Sequence, residues 1–210
     1  STFGGRIELG SVGDNAQVRL IPTEEGFALD YSQVEGFRDI RLSDFASVDA
    51  TGEGGGSIQV QGRQVTLTDD SGITSNTEGA LDGGSISLTA ESLSLTGGGF
   101  IDTSTFGEGR GGDLSVTVSD LIELRGTNLE SRGTTPEEEL PSGFFTQTEA
   151  SGDAGSLTLR ARRLEISDGA QISLSTFGEG QGGNLDLLVS EGIELSGGSE
   201  SGNFPSSITT

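Results

Sequence analysis

Apolar and polar residues alternate along most of this chain. That is the two-residue period of a strand, not the 3.6-residue period of a helix. The alternation recurs in blocks that open on a pair of small residues: Gly55-Gly56, Gly83-Gly84, Gly111-Gly112, Ala154-Gly155 and Gly182-Gly183. Successive blocks begin 28, 28, 43 and 28 residues apart. A first strand is predicted over Ile58/Val60, Ile86/Leu88, Leu114/Val116, Leu157/Leu159 and Leu185/Leu187. A second falls over Val65/Leu67, Leu93/Leu95, Ile122/Leu124, Leu164/Ile166 and Ile193/Leu195. A third is led by Ile73, Ile101, Phe144, Ile172 and Ile208.

One such block cannot bury its own apolar face, whereas stacked blocks can. The pattern therefore predicts an all-β chain: a right-handed parallel β-helix, or solenoid, with three strands and 28 residues per coil. Thr77, Thr105, Thr148 and Thr176 each follow the leading apolar residue of the third strand by four positions. They predict a structural threonine row, in which hydroxyls of successive coils can bond to each other. The whole of 1–210 reads as one segment of a longer solenoid, because the opening Ser1-Thr2-Phe3-Gly4 repeats Ser104–Gly107 and Ser175–Gly178.

Two stretches exceed the repeat. Residues 10–36 hold the single Tyr31, with Pro22 and Phe27, and are predicted to form an inserted loop or hairpin. Residues 126–141 are predicted to form an inserted side loop before Phe144, with Glu137–Glu139 as a solvated charge run. Phe204-Pro205-Ser206 echoes Leu140-Pro141-Ser142, and the two STFGEG segments lie 71 residues apart. Long and short units therefore alternate as a 71-residue super-repeat.

Composition narrows the function. There are 33 acidic against 11 basic residues, every base is Arg, and the net charge is −22. Such a surface repels phosphate backbones, so no nucleic-acid partner is expected. No run of apolar residues approaches a membrane span, so no membrane insertion is expected. The 36 glycines point to tight corners.

Residues 155–183 and 141–154, and the 10–56 stretch with its IPTEEGF and ASVDATGEGGG segments, resemble the cyanobacterial filamentous-haemagglutinin-like proteins. That resemblance covers nearly the whole chain. It implies two-partner secretion, a secreted, extracellular or cell-surface location, and a β-helical shaft. It carries over no functional residues.

Catalysis is not expected. Without His, Cys or Lys, neither a Ser-His-Asp nor a Cys-His arrangement can form. Asp69-Asp70 is the obvious carboxylate pair, but its counterparts Thr96-Gly97 and Ser167-Asp168 mark it as a corner between strands. Gly107–Asp113 faintly resembles a calcium-binding nonapeptide, yet Asp113 becomes Asn184 in the sister unit. Phe106 and Phe177 share one position, where the rings either cover the corner, which is the expectation, or form an exposed sticky row.

One candidate metal site stands out. On the second strand the outward positions run Arg41, Thr66, Ser94, Glu123, Glu165, Glu194. Stacked, the last three form a carboxylate column: either its side chains splay into water and salt screens them, the favoured reading, or they recruit a divalent cation such as Ca2+, or Arg160, Arg162 and Arg163 neutralise them. No other cofactor is expected. The functional expectation is a structural and adhesive section of a surface shaft or fibre. Its partners would be copies of itself, by axial or lateral association. The alternative is a β-helix that binds or cleaves a surface polysaccharide.

Overall fold

The computed structural model describes residues 5–23, 26–129 and 138–210. The start of the chain at 1–4, and the centre of the expected side loop with Pro136 and Glu137, lie outside them. The chain is all-β. It runs β1 (Arg6–Gly10), β2 (Arg19–Thr23), β3 (Gly26–Asp30), β4 (Ile40–Leu42), β5 (Ser47–Asp49) and β6 (Ser57–Gln61). Then come β7 (Gln64–Leu67), β8 (Gly72–Thr74), β9 (Ile86–Ala90), β10 (Ser92–Thr96), β11 (Phe100–Asp102) and β12 (Leu114–Val118). The last are β13 (Leu121–Arg125), β14 (Gly143–Phe145), β15 (Leu157–Ser167), β16 (Gln171–Ser173), β17 (Leu185–Ser196) and β18 (Ser207–Thr209).

The sheet arrangement corrects the expected right-handed β-helix with three strands per coil. The first and second strand rows do not make two sheets. They belong to one parallel sheet of ten strands, curled into a half-barrel. Its order is β1-β6-β9-β12-β15-β13-β10-β7-β4, with β17 on the far side of β15. A six-stranded parallel sheet, β18-β16-β14-β11-β8-β5, carries the third row. The physical reason lies in β15 and β17. The run Leu-Thr-Leu-Arg-Ala-Arg-Arg-Leu-Glu-Ile-Ser at Leu157–Ser167 contains no Gly or Pro to break it. It stays extended through the place where a corner between two strands was expected.

Pairing between successive repeats is parallel and in register, apart from a one-residue shift between Ala161 and Arg163 where β15 meets β17. Leu93 pairs with Val65 below and Ile122 above, and Ile101 pairs with Ile73 and Phe144. The residues facing inward form one apolar cluster in which Leu67, Ile86, Leu95, Ile122, Leu164 and Ile172 are fully buried. The two faces of these parallel strands differ in polarity, so every in-register level adds apolar area to the same interior. Within 10–36, β2 and β3 form an antiparallel hairpin, from Arg19 opposite Asp30 to Thr23 opposite Gly26. Tyr31, buried below that hairpin, sets its ring edge-on to Phe37 at 5.9 Å.

Candidate functional site

The outer face of the second strand row carries the expected file. Arg41 pairs with Thr66, Thr66 with Ser94, Ser94 with Glu123, Glu123 with Glu165, and Glu165 with Glu194. Parallel pairing stacks these side chains about 4.8 Å apart. The Ser94 hydroxyl donates to Glu123 Oε2 at 2.9 Å. A shallow depression of about 290 Å³ lies beside Glu165 and Glu194 and is also lined by Arg163 and Glu191.

Among the described residues, none of the three neighbouring arginines makes an ion pair with Glu123, Glu165 or Glu194. Arg162 bonds to Asp120 and to both oxygens of Glu191, at 3.0 and 3.2 Å. Arg163 lies 3.8 Å from Asp120. Arg160 belongs to the first row, between Thr117 and Leu188. Among the described residues, no group of three or more acidic side chains is arranged to hold a metal ion.

The threonine row is a row of backbone bridges: Thr77 to Thr105, Thr105 to Thr148, Thr148 to Thr176. Thr77, Thr105 and Thr148 are buried, and Thr176 is exposed. Their hydroxyls do not bond to each other, as the sequence suggested they could. Thr105 Oγ1 donates to the Gly109 carbonyl at 2.9 Å, and Thr148 Oγ1 to the Gly152 carbonyl at 2.6 Å. A threonine hydroxyl here closes the glycine-rich corner that follows it, satisfying a carbonyl that the turn leaves free.

Asp69 and Asp70 both have φ of 55°, in the left-handed region. The pairing in register places their equivalents one residue later than the expected Thr96-Gly97 and Ser167-Asp168: Gly97 (57°) and Gly98 (81°), and Asp168 (55°) and Gly169 (94°), do the same. Short polar residues tolerate that conformation better than most, so the pair serves the corner. Asp113 is likewise committed: Oδ1 accepts from Arg110 at 2.6 Å and from the Ser156 amide at 2.8 Å.

Two features differ from the expectation favoured by the sequence. Glu139, expected in a solvated charge run, is 3% exposed. Thr127 donates to its Oε1 at 2.8 Å, and Ser201 and Asn203 donate to its Oε2. Burial pushes its carboxyl up, but the hydrogen bonds from Ser201, Thr127, Ser199 and Asn203 outweigh that and hold it below the usual range. This carboxylate ties the end of the 126–141 excursion to the 197–206 loop. The two loops close alike, by bridges of Thr127 to Pro141 and Gly198 to Pro205. Asn128 Oδ1 accepts the Leu140 amide, and Ser199 Oγ accepts the Phe204 amide. The echo between Leu140-Pro141-Ser142 and Phe204-Pro205-Ser206 was the available signal.

The second feature corrects the expected corner packing of Phe106 and Phe177. Their rings stand out from the surface, 46% and 69% exposed. Phe106, Glu149 and Phe177 follow one another at a single corner of three successive repeats. Half-buried Asp102 lies close by. Burial pushes its carboxyl up, and the Glu149 charge adds to that rise, against hydrogen bonds from Ser104 and Asn76.

Comparisons of this chain with family models, with curated proteins and with solved structures return no match.

Proposed function

We propose that this chain is a structural and adhesive section of a secreted cell-surface shaft or fibre, built to stack repeats and to pair with copies of itself. The observation that carries this reading is the division of labour among its polar groups. Several of its ion pairs work between levels of the stack. Arg63 forks onto Asp39 at 2.9 and 2.8 Å, Arg162 joins Asp120 to Glu191, and Arg125 reaches Asp168 at 2.9 Å. Each of these contacts joins residues of different repeats. Opposite charges facing across parallel strands favour one register of stacking over its neighbours.

The surface that would receive a copy is the outer edge of β17. That strand pairs with β15 on one side, and it exposes Leu188, Ile193 and Leu195. An unpaired edge with apolar side chains is a template for another strand. The test is light scattering over rising concentration, with electron microscopy of the same samples, on the parent and on Leu195→Lys. The expected result is end-to-end growth in the parent that the charged variant suppresses. A parent that stays monomeric throughout would overturn axial pairing. Saturable binding of a neutral oligosaccharide by that monomer would favour the polysaccharide alternative.

A further inference from the structure

We propose that Phe106, Glu149 and Phe177 form a binding site for an alkylammonium group, and that its occupant is a lysine side chain from a basic segment of a partner protein. The inference does not rest on the shaft reading. It would hold for this corner whatever the chain's wider role.

The geometry is set by backbone and not by flexible side chains. The amides of Phe106, Glu149 and Phe177 donate to the carbonyls of Thr77, Thr105 and Thr148, at 2.7, 3.0 and 2.8 Å. Those threonines are themselves bridged level to level. The three residues therefore stand in file about 4.8 Å apart, and the two phenylalanines about 9.6 Å apart. The two phenylalanines flank Glu149 in a solvent-facing gap, so a cation held by its carboxylate would meet an exposed ring on either side.

The chemistry of the gap selects its occupant. Among the described residues neither ring is paired with another aromatic, and Glu149 has no ion-pair partner. The Glu149 charge adds to the rise of the Asp102 carboxyl, and the chain as a whole carries −22. A cation is thus favoured and an anion repelled. A hard metal ion would want several converging oxygens, and the gap offers one carboxylate. An ammonium group on an alkyl stem matches better: the rings take the stem and the charge, and the carboxylate takes the N–H donors. A quaternary ammonium lipid headgroup shares part of this chemistry, but it brings a phosphate toward an acidic surface. That disfavours it relative to lysine.

The test is a titration of the isotope-labelled chain by NMR, following the amides of Phe106, Glu149 and Phe177. Tetralysine is the peptide probe and tetramethylammonium chloride the small one, each against sodium chloride at equal ionic strength. Saturable shifts confined to this corner are expected, with Kd on the order of millimolar for the small probe. Phe177→Leu and Glu149→Gln should each weaken tetralysine binding about two- to five-fold, in keeping with one exposed cation–aromatic contact. Both positions are exposed, so both variants should melt like the parent. Equal shifts with sodium would overturn the site and leave only charge screening. Loss of binding in Glu149→Gln with none in Phe177→Leu would overturn the role of the rings. Binding to phosphatidylcholine vesicles without binding to tetralysine would overturn the lysine assignment.

Discussion

In β15, Leu164 and Ile166 are sealed in the core; in β17 their partners in register, Ile193 and Leu195, are 47% and 44% exposed. The two segments have nearly the same composition and alternation. They differ in what lies on each side. Among the described residues, β15 has β13 and β12 on one flank and β17 on the other, whereas β17 has β15 alone. Burial in this fold is therefore a property of a strand's neighbours more than of its own sequence. A repeat contributes its full apolar area only when a level sits on both sides of it.

The largest expected effect tests that statement directly. Leu164→Ala removes buried methyl groups and leaves a cavity between two levels, so it should cost about 2–5 kcal/mol. Leu195→Ala makes the same change on the open strand and should cost less than about 1 kcal/mol, since little area returns to water there. Urea denaturation of the two variants beside the parent measures both. Equal losses would mean that the outer level is packed as firmly as the inner one.

Backbone approach differs between the same two regions. A Cβ on Gly155 would lie 1.9 Å from the Gly112 carbonyl oxygen of the repeat below, whereas a Cβ on Gly192 would meet nothing within 4 Å. Gly155→Ala must push two strands apart and should cost about 1–3 kcal/mol. Gly192→Ala should fall within about 0.5 kcal/mol of the parent. Thermal melts of the pair settle the ordering, and a destabilised Gly192→Ala would show that β17 is more confined than its surroundings suggest.

How much of this was legible in advance follows from the range of each interaction. The inward rows were readable because alternation is local: Leu95, Ile122 and Leu164 each sit in a short alternating run. The joining of two strand rows into one sheet was not. It depends on Ala161-Arg162-Arg163 staying extended where Gly62-Arg63 turns, and both stretches are polar and short. Glu139 was misread because its burial comes from the 197–206 loop, which no window around Glu137–Glu139 contains. Phe106 and Phe177 were misread for the opposite reason. An aromatic residue at a corner is usually covered, and nothing nearby in sequence says that this corner lacks a lid.

Half-buried Asp102 and buried Glu139 offer a comparison that pH can sharpen. Asp102 is raised chiefly by burial, so its ionised form costs stability at neutral pH. That cost is relieved as pH falls through its folded value. Glu139 is lowered on balance, so its contribution is present above the unfolded value of about 4.3 and is lost as pH falls through the lower folded value. Removing each carboxylate should therefore change the pH profile in opposite senses. Asp102→Asn should flatten the gain in stability on mild acidification. Glu139→Gln should cost about 1–3 kcal/mol at pH 7, because it sets an amide N–H among hydroxyl donors, and its difference from the parent should shrink toward acid pH. Parallel pH series of denaturant melts would show this. Profiles that move together would mean that one of the two environments has been misjudged.

The smallest expected effect concerns the carboxylate file on the outer face. Glu165 stands in register between Glu123 and Glu194, and Arg162 and Arg163, near it in sequence, turn toward Asp120 and Glu191. Glu123 has one relief, the Ser94 hydroxyl at 2.9 Å, while the charge of Glu165 faces a glutamate on both sides. Like charges across a ladder at this spacing repel by a few tenths of a kcal/mol up to about one. Glu165→Gln should accordingly raise the melting temperature at low salt by a small amount, and the gain should fade as salt screens the file. Calcium separates repulsion from ligation. If the three carboxylates only repel, sodium at equal ionic strength protects the parent as well as millimolar calcium does. If they gather around a cation, calcium protects the parent alone and Glu165→Gln removes the protection. With no three acidic side chains arranged as a ligand set among the described residues, the first outcome is the expected one.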